Sequence, residues 1–192
     1  MKKNKGILII SIIFIVIGLI GIMSLILIAG GFTQRSVCGL GASIMGDIDR
    51  HFIGQMIPHH EDAVLMAELA LTKADHEELK KLAENIKRDQ SREIGEMRSW
   101  YKSWYNIKVP ESAIGGMGMM GDMTDLESLE NAKLFDKEFI EQMIPHHQMA
   151  IMMASMMLNR TEREEMKKLA QDIIRTQTEE INQMSAWYSD WY

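Results

Sequence analysis

Apolar residues follow two different patterns along the chain. The first is an unbroken run, since residues 7–29 contain no charged side chain. A helix of this length spans about 34 Å, which is enough to cross the hydrocarbon core of a bilayer. The run is also longer than the apolar part of a cleaved signal peptide. We therefore predict a transmembrane anchor at 7–29 that contacts the lipid bilayer, with a signal cleaved near Ala29 as the alternative.

Basic residues predict the orientation of this anchor. Three lysines lie within residues 1–6, and only Arg35 follows the apolar run closely. Positive charge collects on the cytoplasmic side of membrane helices. Residues 1–6 are therefore predicted to be the cytoplasmic tail of a single-pass protein of the cell membrane. The rest of the chain is predicted to lie on the extracytoplasmic side, after a linker at 30–46.

The second pattern is a helical period that begins near residue 47. Apolar positions recur in steps of four and three from Phe52 to Ala70, and again along a segment from about 75 to 105. Both segments return 87 positions later, and no strand pattern accompanies them. Two helical hairpins joined by a long connection predict an all-α four-helix bundle. The predicted bundle occupies 47–192, with repeat one at 47–105, a connection at 106–125 and repeat two at 126–192.

The repeat is clearest in one hexapeptide. The sequence QMIPHH occupies residues 55–60 and recurs at residues 142–147. Each copy is too short to bury a sizeable core alone, so the two copies are expected to share one core. Pro58 lies inside the first predicted helix, where proline removes a backbone hydrogen bond, and we expect a kink there.

The sequence also predicts how the helices begin and end. Residues 75–78 and 161–164 are typical of capping boxes. Tryptophan–tyrosine pairs end the second and fourth helices, and we expect both pairs beside the start of the first helix, near the membrane. His76 is expected at the surface. Because Arg163 occupies the equivalent position in repeat two, no shared role is predicted for this pair.

Polar residues interrupt the apolar stripe at the middle of each hairpin. Counting outward from the turn near Ala74 places His59 level with Gln90, and Met56 level with Glu93. Each hairpin should therefore bring these groups together on its inward face, and the two sets are expected to meet mid-bundle. The second repeat supplies the equivalent residues His146, Gln177, Met143 and Glu180.

This polar layer has two possible explanations. Burying polar side chains is unfavourable unless they are paired, so the layer can be a hydrogen-bonded set that fixes the register of the hairpins. It can also be a metal site, because imidazole, carboxylate and thioether groups are all metal ligands. We favour the metal site, since four histidines exceed what register requires. The other two, His60 and His147, are expected one step round the helix, flanking the layer.

Methionines add further candidate ligands. Sixteen of the 18 lie outside the initiator and the predicted anchor. Met153 and Met157 fall on the apolar stripe of the third helix and are expected to fill the core. A Met-rich loop between the repeats has no core to fill. The remaining candidates on the loop and the third helix are Met117, Met119, Met120, Met123, Met149, Met152 and Met156.

The types of donor group narrow the choice of metal ion. Thioethers and imidazoles outside the cytoplasm suit Cu(I), and also Ag(I), by ligand softness. Iron or manganese is less favoured, because the layer offers only the carboxylates Glu93 and Glu180 and lacks the Glu-x-x-His pairs of di-iron bundles.

Charge and cysteine content argue against nucleic-acid binding and against a fold held by disulfides. Without the lysines of the tail, 18 basic residues stand beside 27 acidic ones, a net charge of −9. A charge of this sign argues against nucleic acid as a partner. Cys38 is the single cysteine, so no intrachain disulfide forms, and we interpret it as a linker residue.

The repeated motif resembles a known family. Asp49, Phe52, Met56 and the IPHH sequence at 57–60 are similar to the family called domain of unknown function 305, and the same signature recurs from Asp136 onward. The resemblance covers about residues 47–192. It implies an exported, ferritin-like bundle, similar in some members to Met/His-rich proteins that bind copper or silver, without an assured enzymatic activity. It implies as ligand candidates His59, His60, His146, His147 and nearby methionines.

Three hypotheses for function follow. The first is a membrane-anchored bundle that sequesters Cu(I) or Ag(I) or hands it to a metal-transfer partner protein. The second is a ferritin-like redox enzyme in which Glu93 and Glu180 bridge two iron or manganese ions. The third is a structural or partner-binding bundle whose histidine layer only sets register. The sequence leaves the oligomeric state open.

Overall fold

The computed structural model describes residues 47–110 and 124–192 and shows helices without strands in these ranges. The predicted anchor, the linker and the four loop methionines lie outside the described residues. Within them, no helix is both long enough and apolar enough to cross a membrane. The helices are α1 (Ile48–Lys73), α2 (Glu77–Tyr105), α3 (Leu126–Asn131), α4 (Phe135–Leu158) and α5 (Glu164–Trp191).

Local sequence explains where α1 and α2 begin and end. The Asp47 carboxylate caps α1 by accepting hydrogen bonds from the backbone N–H groups of Asp49 and Arg50, at 3.1 and 3.2 Å. Asn106 ends α2 in the left-handed conformation with φ 53°, which asparagine tolerates well. Pro58 lies within α1, whose helix continues through it from Ile48 to Lys73.

The predicted capping boxes are wrong. The N-cap of α2 is His76 and that of α5 is Arg163, and neither side chain makes a capping hydrogen bond. The backbone N–H groups of Asp75 and His76 instead donate to the carboxylate of Asp136, at 3.0 and 2.9 Å. The segment that leads into α2 is therefore held by a side chain from the other repeat, a partner that local sequence cannot reveal.

The four long helices form two hairpins that pack through their first helices. α2 packs along α1, α5 packs along α4, and α1 packs against α4. The first half of α1 shares a cluster of buried side chains with the last half of α4, so these two helices run in opposite directions. The predicted four-helix bundle of two hairpins is thus observed, with α3 as a short helix that the sequence analysis missed.

Buried apolar side chains form two clusters rather than one. Cluster one surrounds the turn between α1 and α2 and includes Met66, Leu79, Ile86, Phe139 and Met143. Cluster two lies at the other end of the bundle and includes Ile53, Met56, Met97, Met157 and Ile173. Met153 and Met157 are buried in cluster two, as predicted. The residues that separate the two clusters on every long helix are the polar ones.

Each hairpin turn is held by the open end of the other hairpin. The ring of His76 stacks on Trp191 with centroids 3.7 Å apart, and its Nδ1 lies 2.6 Å from Asp136 Oδ2. We call this set of three residues the His76 clamp. It brings the start of α4 and the end of α5 to the turn between α1 and α2.

An equivalent set, the Arg163 clamp, lies at the opposite end. The Arg163 guanidinium lies 4.0 Å from the centroid of the Trp104 ring, and its Nε donates to Asp49 Oδ2 at 3.1 Å. The expectation that both aromatic pairs lie beside the start of α1 is therefore wrong, because only the α2 pair does. The expectation that His76 and Arg163 share no role is also wrong.

Candidate metal centre

Eight polar residues form a layer across the middle of the bundle. Each long helix contributes two of them, placed between its residues in cluster one and its residues in cluster two. All eight are at most 6% exposed. Four of the residues come from α1 and α2, and the other four occupy the equivalent positions of α4 and α5. The layer consists of His59, His60, Gln90, Glu93, His146, His147, Gln177 and Glu180.

The two repeats meet in this layer through one pair of rings. The His59 and His146 rings have centroids 3.7 Å apart and an interplanar angle of 37°. The sequence-based expectation that the two sets meet mid-bundle is therefore observed. The meeting point is a pair of imidazoles, since α1 packs against α4 here.

The outer histidines are paired with glutamates of their own hairpin. His60 Nε2 lies 2.9 Å from Glu93 Oε2, and His147 Nε2 lies 2.8 Å from Glu180 Oε2. His60 and His147, which were expected to lie beside the central pair, are fully buried. Counting positions along the helices gives the height of each Cα, whereas the long glutamate side chain places its carboxylate elsewhere.

Most of the imidazole nitrogens in the layer have no hydrogen-bond partner from the protein. Six of the eight are buried without one: both nitrogens of His59 and of His146, and Nδ1 of His60 and of His147. A buried polar atom left unsatisfied costs about 1–3 kcal/mol. A layer built only to fix register would satisfy these atoms, so their number favours a ligand.

Each glutamate fixes the tautomer of the histidine that it contacts, with the proton on Nε2. A carboxylate is only an acceptor, so Glu93 requires the proton of His60 on Nε2, and Glu180 requires the same of His147. Nδ1 of each ring then carries an unshared lone pair. A histidine that binds a metal through one nitrogen and a carboxylate through the other is a recurrent arrangement in metal sites.

Electrostatics keep the central pair neutral. Burial first, and then repulsion from His60 and His147, lower the pKa of His59 from 6.5 to about 3, while the backbone of His146 acts weakly in the opposite direction. Burial likewise holds the pKa of His146 well below its usual value, with repulsion from His59 as the next cause. Both rings therefore present lone pairs at neutral pH. Because the unfolded rings protonate first, folded stability falls as pH decreases from about 6.5 toward 3.

The candidate methionines differ widely in position. Met56 and Met143 are fully buried, one in cluster two and the other in cluster one, on either side of the layer. Met149 is half-buried beside cluster two. Met152 and Met156 lie on the surface of α4, 42% and 47% exposed. The described methionines thus divide into buried neighbours of the layer and a surface stripe on α4.

The layer fits a soft monovalent cation better than a cluster of hard ones. Neutral imidazoles are donors for copper, and Cu(I) and Ag(I) accept as few as two ligands. Among the described residues, no group of three or more His, Cys, Asp or Glu side chains is arranged to hold a metal ion. Glu93 and Glu180 each bind a histidine of their own repeat, which does not support the bridging role of the di-metal hypothesis.

Sequence reasoning gave no role to the aspartates Asp49 and Asp136. They are 87 positions apart and nearly fully buried, at 5% and 1% exposed. The available signal was an acidic residue that recurs at the start of the apolar stripe in both repeats. Their partners lie in the opposite hairpin, so that signal could not have identified them.

Comparison with known proteins places this architecture in a family. The sequence profile of the domain of unknown function DUF305 matches residues 49–188. A structure of CopM in a Cu(II)-bound form is 57% identical, covers 75% of this chain and 97% of that chain, and has a TM-score of 0.70. CopM in a Cu(I)-bound form is 56% identical over the same shares, with a TM-score of 0.68.

Two other proteins are similar to this chain. A DUF305 protein from Streptomyces coelicolor is 28% identical, with a TM-score of 0.67, over 75% of this chain and 93% of that chain. An uncharacterised protein of Acanthamoeba polyphaga mimivirus is 49% identical over 51 residues, which are 27% of this chain. The match therefore spans about a third of that relative, 34% of its length. With the profile covering most of the bundle, the chain belongs to the DUF305 family.

Proposed function

We propose that this protein binds monovalent copper or silver in the histidine layer of a membrane-anchored, extracytoplasmic bundle, and sequesters the ion or transfers it to a partner protein. The observation that carries the proposal is the set of six buried imidazole nitrogens without a protein partner. Here the metal is cargo rather than a resident catalytic cofactor, and no reaction is assigned to the bundle.

The central pair supplies the first ligands. His59 and His146 approach each other across the interface of the repeats and are neutral at pH 7. Because all four nitrogens of these rings lack a protein partner, the pair offers lone pairs to one ion at the interface of the repeats. A two-coordinate ion there joins the two hairpins and removes the unfavourable burial of unpaired nitrogens.

The outer histidines extend this ligand set. His60 and His147 offer Nδ1, and Glu93 and Glu180 hold them in the tautomer that leaves Nδ1 free. The glutamates are therefore positioning residues in this proposal. Met56 lies one helical turn before His60, and Met143 one turn before His147, so each thioether shares a helix face with a ligand.

The comparisons support the choice of metal. CopM, which has 56–57% identity to this chain, has structures in Cu(II)-bound, Cu(I)-bound and Ag-bound forms. Neutral nitrogen and sulfur donors suit the monovalent ions. Iron and manganese prefer carboxylate-rich sites, and the two layer carboxylates are already engaged by histidines.

Surface methionines are proposed as collecting ligands. Met149, Met152 and Met156 lie at spacings of three and four on one face of α4. They and the loop methionines at 117, 119, 120 and 123 supply soft donors for a metal-transfer partner. The anchor proposed at 7–29 attaches the protein to the membrane.

A titration with Cu(I) tests the proposal. A fragment of residues 40–192 is titrated against a competing chelator while its melting temperature is followed, with Zn(II) and Fe(II) as comparison metals. A ligand that binds only the folded state raises its stability. The matched variant replaces all four layer histidines with leucine, which keeps the core filled. We expect tight Cu(I) binding that raises the melting temperature in the parent protein and not in the variant.

Other outcomes assign the layer differently. Tight binding that survives the four substitutions places the site on the methionines. Preferential stabilisation by Fe(II) with oxygen-dependent chemistry favours a redox enzyme. A melting temperature that is indifferent to every metal leaves the layer as a register device and overturns the proposal.

A further inference from the structure

A small cavity lies between α2 and α5, directly against the polar layer. Its volume is about 10 Å³, close to the minimum that holds one water molecule. A monovalent copper or silver ion stripped of its water is no larger than that. The cavity is partly open to solvent, and the residues that line it are Ile86, Asp89, Gln90, Glu93, Ile173, Thr176, Gln177 and Glu180.

The two repeats contribute equally to this cavity. Its eight lining residues form four pairs at the offset of 87, so the symmetry relation between the hairpins passes through it. Ile86 and Ile173 form apolar walls that are 1% exposed. Asp89 and Thr176 are half-buried and lie at the solvent side. A feature built twice from the same positions belongs to the shared layer rather than to the surface of one helix.

Both glutamines that line the cavity carry an unpaired acceptor. Gln90 and Gln177 are 4% and 3% exposed, and the Oε1 atom of each is buried without a hydrogen-bond partner. Glu93 and Glu180 also line the cavity while binding His60 and His147. The same carboxylates therefore contact both the cavity and the imidazoles. Oxygen acceptors of this kind attract a cation and repel an anion.

The other sides of the layer are closed by helix packing. α1 packs against α4, and each hairpin is closed by contact along its length. The two apolar clusters cover the layer from both ends of the bundle. The side between α2 and α5 is where the structure leaves space.

We infer that this cavity is the passage by which a bare monovalent cation reaches and leaves the histidine layer, with Gln90, Gln177 and the two glutamates lining the passage without holding the ion. The inference rests on the proposed function. The inference adds that the passage is selective for the form of the metal, because an acceptor-lined passage of this size admits the free cation and excludes its anionic complexes.

Kinetics distinguish a passage residue from a ligand. A ligand changes the dissociation constant, whereas an obstacle in the only passage slows uptake and release by the same factor and leaves the dissociation constant unchanged. The full chain is loaded with Cu(I) and mixed with bicinchoninate, at concentrations where the release rate no longer depends on the chelator. The absorbance of the Cu(I) chelate gives the release rate, and equilibrium competition gives the dissociation constant.

Two tryptophan substitutions on α5 provide a matched pair. Thr176→Trp fills the solvent side of the cavity, and Thr178→Trp places the same side chain on the exposed face. We expect Thr176→Trp to slow release at least tenfold with a dissociation constant within twofold of the parent. Thr178→Trp should leave both unchanged. Equal release rates in the two variants would overturn the passage while leaving histidine-dependent binding intact.

A second pair guards against misfolding of the first. Asp89→Lys places a positive charge at the cavity, and Glu84→Lys makes the same change of charge at an exposed position of α2. Only Asp89→Lys should slow release. If both slow it equally, general electrostatics explain the effect and the passage is rejected. If the parent protein shows no histidine-dependent Cu(I) binding, the proposed function fails and the passage fails with it.

Discussion

The hairpin of α1 and α2 and the hairpin of α4 and α5 agree in the polar layer and differ at their turns and surfaces. In the layer, His, Gln and Glu occupy the same positions of both copies. At the turns, His76 of one copy is replaced by Arg163 in the other. On the surface, Leu65 of α1 is replaced by Met152 of α4. The shared positions are buried, whereas the positions that differ are half-buried or exposed.

The largest effect is expected from replacing either of the two glutamates of the layer. Glu93→Gln gives His60 an amide that can donate as well as accept, so the proton is no longer required on Nε2 and Nδ1 is no longer held free. Loss of such a supporting carboxylate weakens metal binding by about 10–100-fold. Glu180→Gln should have the same effect within about threefold, measured by chelator competition.

Unequal effects of the two glutamate variants would contradict a symmetric site. The control is Glu96→Gln, which makes the same change at a more exposed position of α2 outside the layer. It should leave Cu(I) affinity unchanged.

The clamps should differ in their contribution to stability. Asp136 accepts hydrogen bonds from two backbone N–H groups of the α2 turn and also contacts His76. Asp136→Ala removes the carboxylate that accepts from both N–H groups and contacts His76, and should lower the free energy of unfolding by about 2–3 kcal/mol. Asp49 bonds only to half-exposed Arg163 among described partners, and its Oδ1 is unpaired. Asp49→Ala should therefore cost about 1 kcal/mol, with urea unfolding of the metal-free protein as the measurement.

Equal losses in the two aspartate variants would show that the turns are held equally in spite of their different residues. The exposed substitution Asp190→Ala, near the end of α5, controls for removal of a carboxylate and should change stability by less than about 0.5 kcal/mol.

The smallest effect is expected from the surface methionines. Met152→Leu with Met156→Leu makes α4 resemble α1, and surface changes of this kind alter stability by less than about 0.5 kcal/mol. In the variant that lacks the four layer histidines, these two methionine substitutions should remove part of the weak Cu(I) binding that remains. Leu65→Met with Leu69→Met is the reverse experiment and should add such binding to α1. No change in either direction would remove the α4 stripe from the proposed collecting ligands.

The periodicity of the chain predicted much of this fold and less of its arrangement. An offset of 87 requires two similar hairpins, and the apolar stripe from Phe52 to Ala70 lies within α1. The same stripes do not specify the direction in which one hairpin packs on the other. Trp191 was consequently expected at the wrong end of the bundle. The contact of Asp136 with the segment that leads into α2 was missed for the same reason.

The candidate centre was predicted in its composition more than in its pairing. His59 and His146 were expected near each other and are in ring contact. The partner of Glu93 was not foreseen, because a residue's height along a helix does not determine where a long side chain ends. Gln90 was expected in the layer, but its unpaired Oε1 and the cavity it faces depend on the spacing between α2 and α5.

The crossed clamps have a consequence for assembly. Each hairpin holds the turn of the other through equivalent positions, so their interface has the self-complementary character of a two-fold dimer. A single hairpin therefore carries one half of each clamp, a central histidine and one wall of the cavity. Two chains that exchange hairpins would recover every one of these contacts. The number of residues between the hairpins then decides between a closed monomer and an exchanged pair.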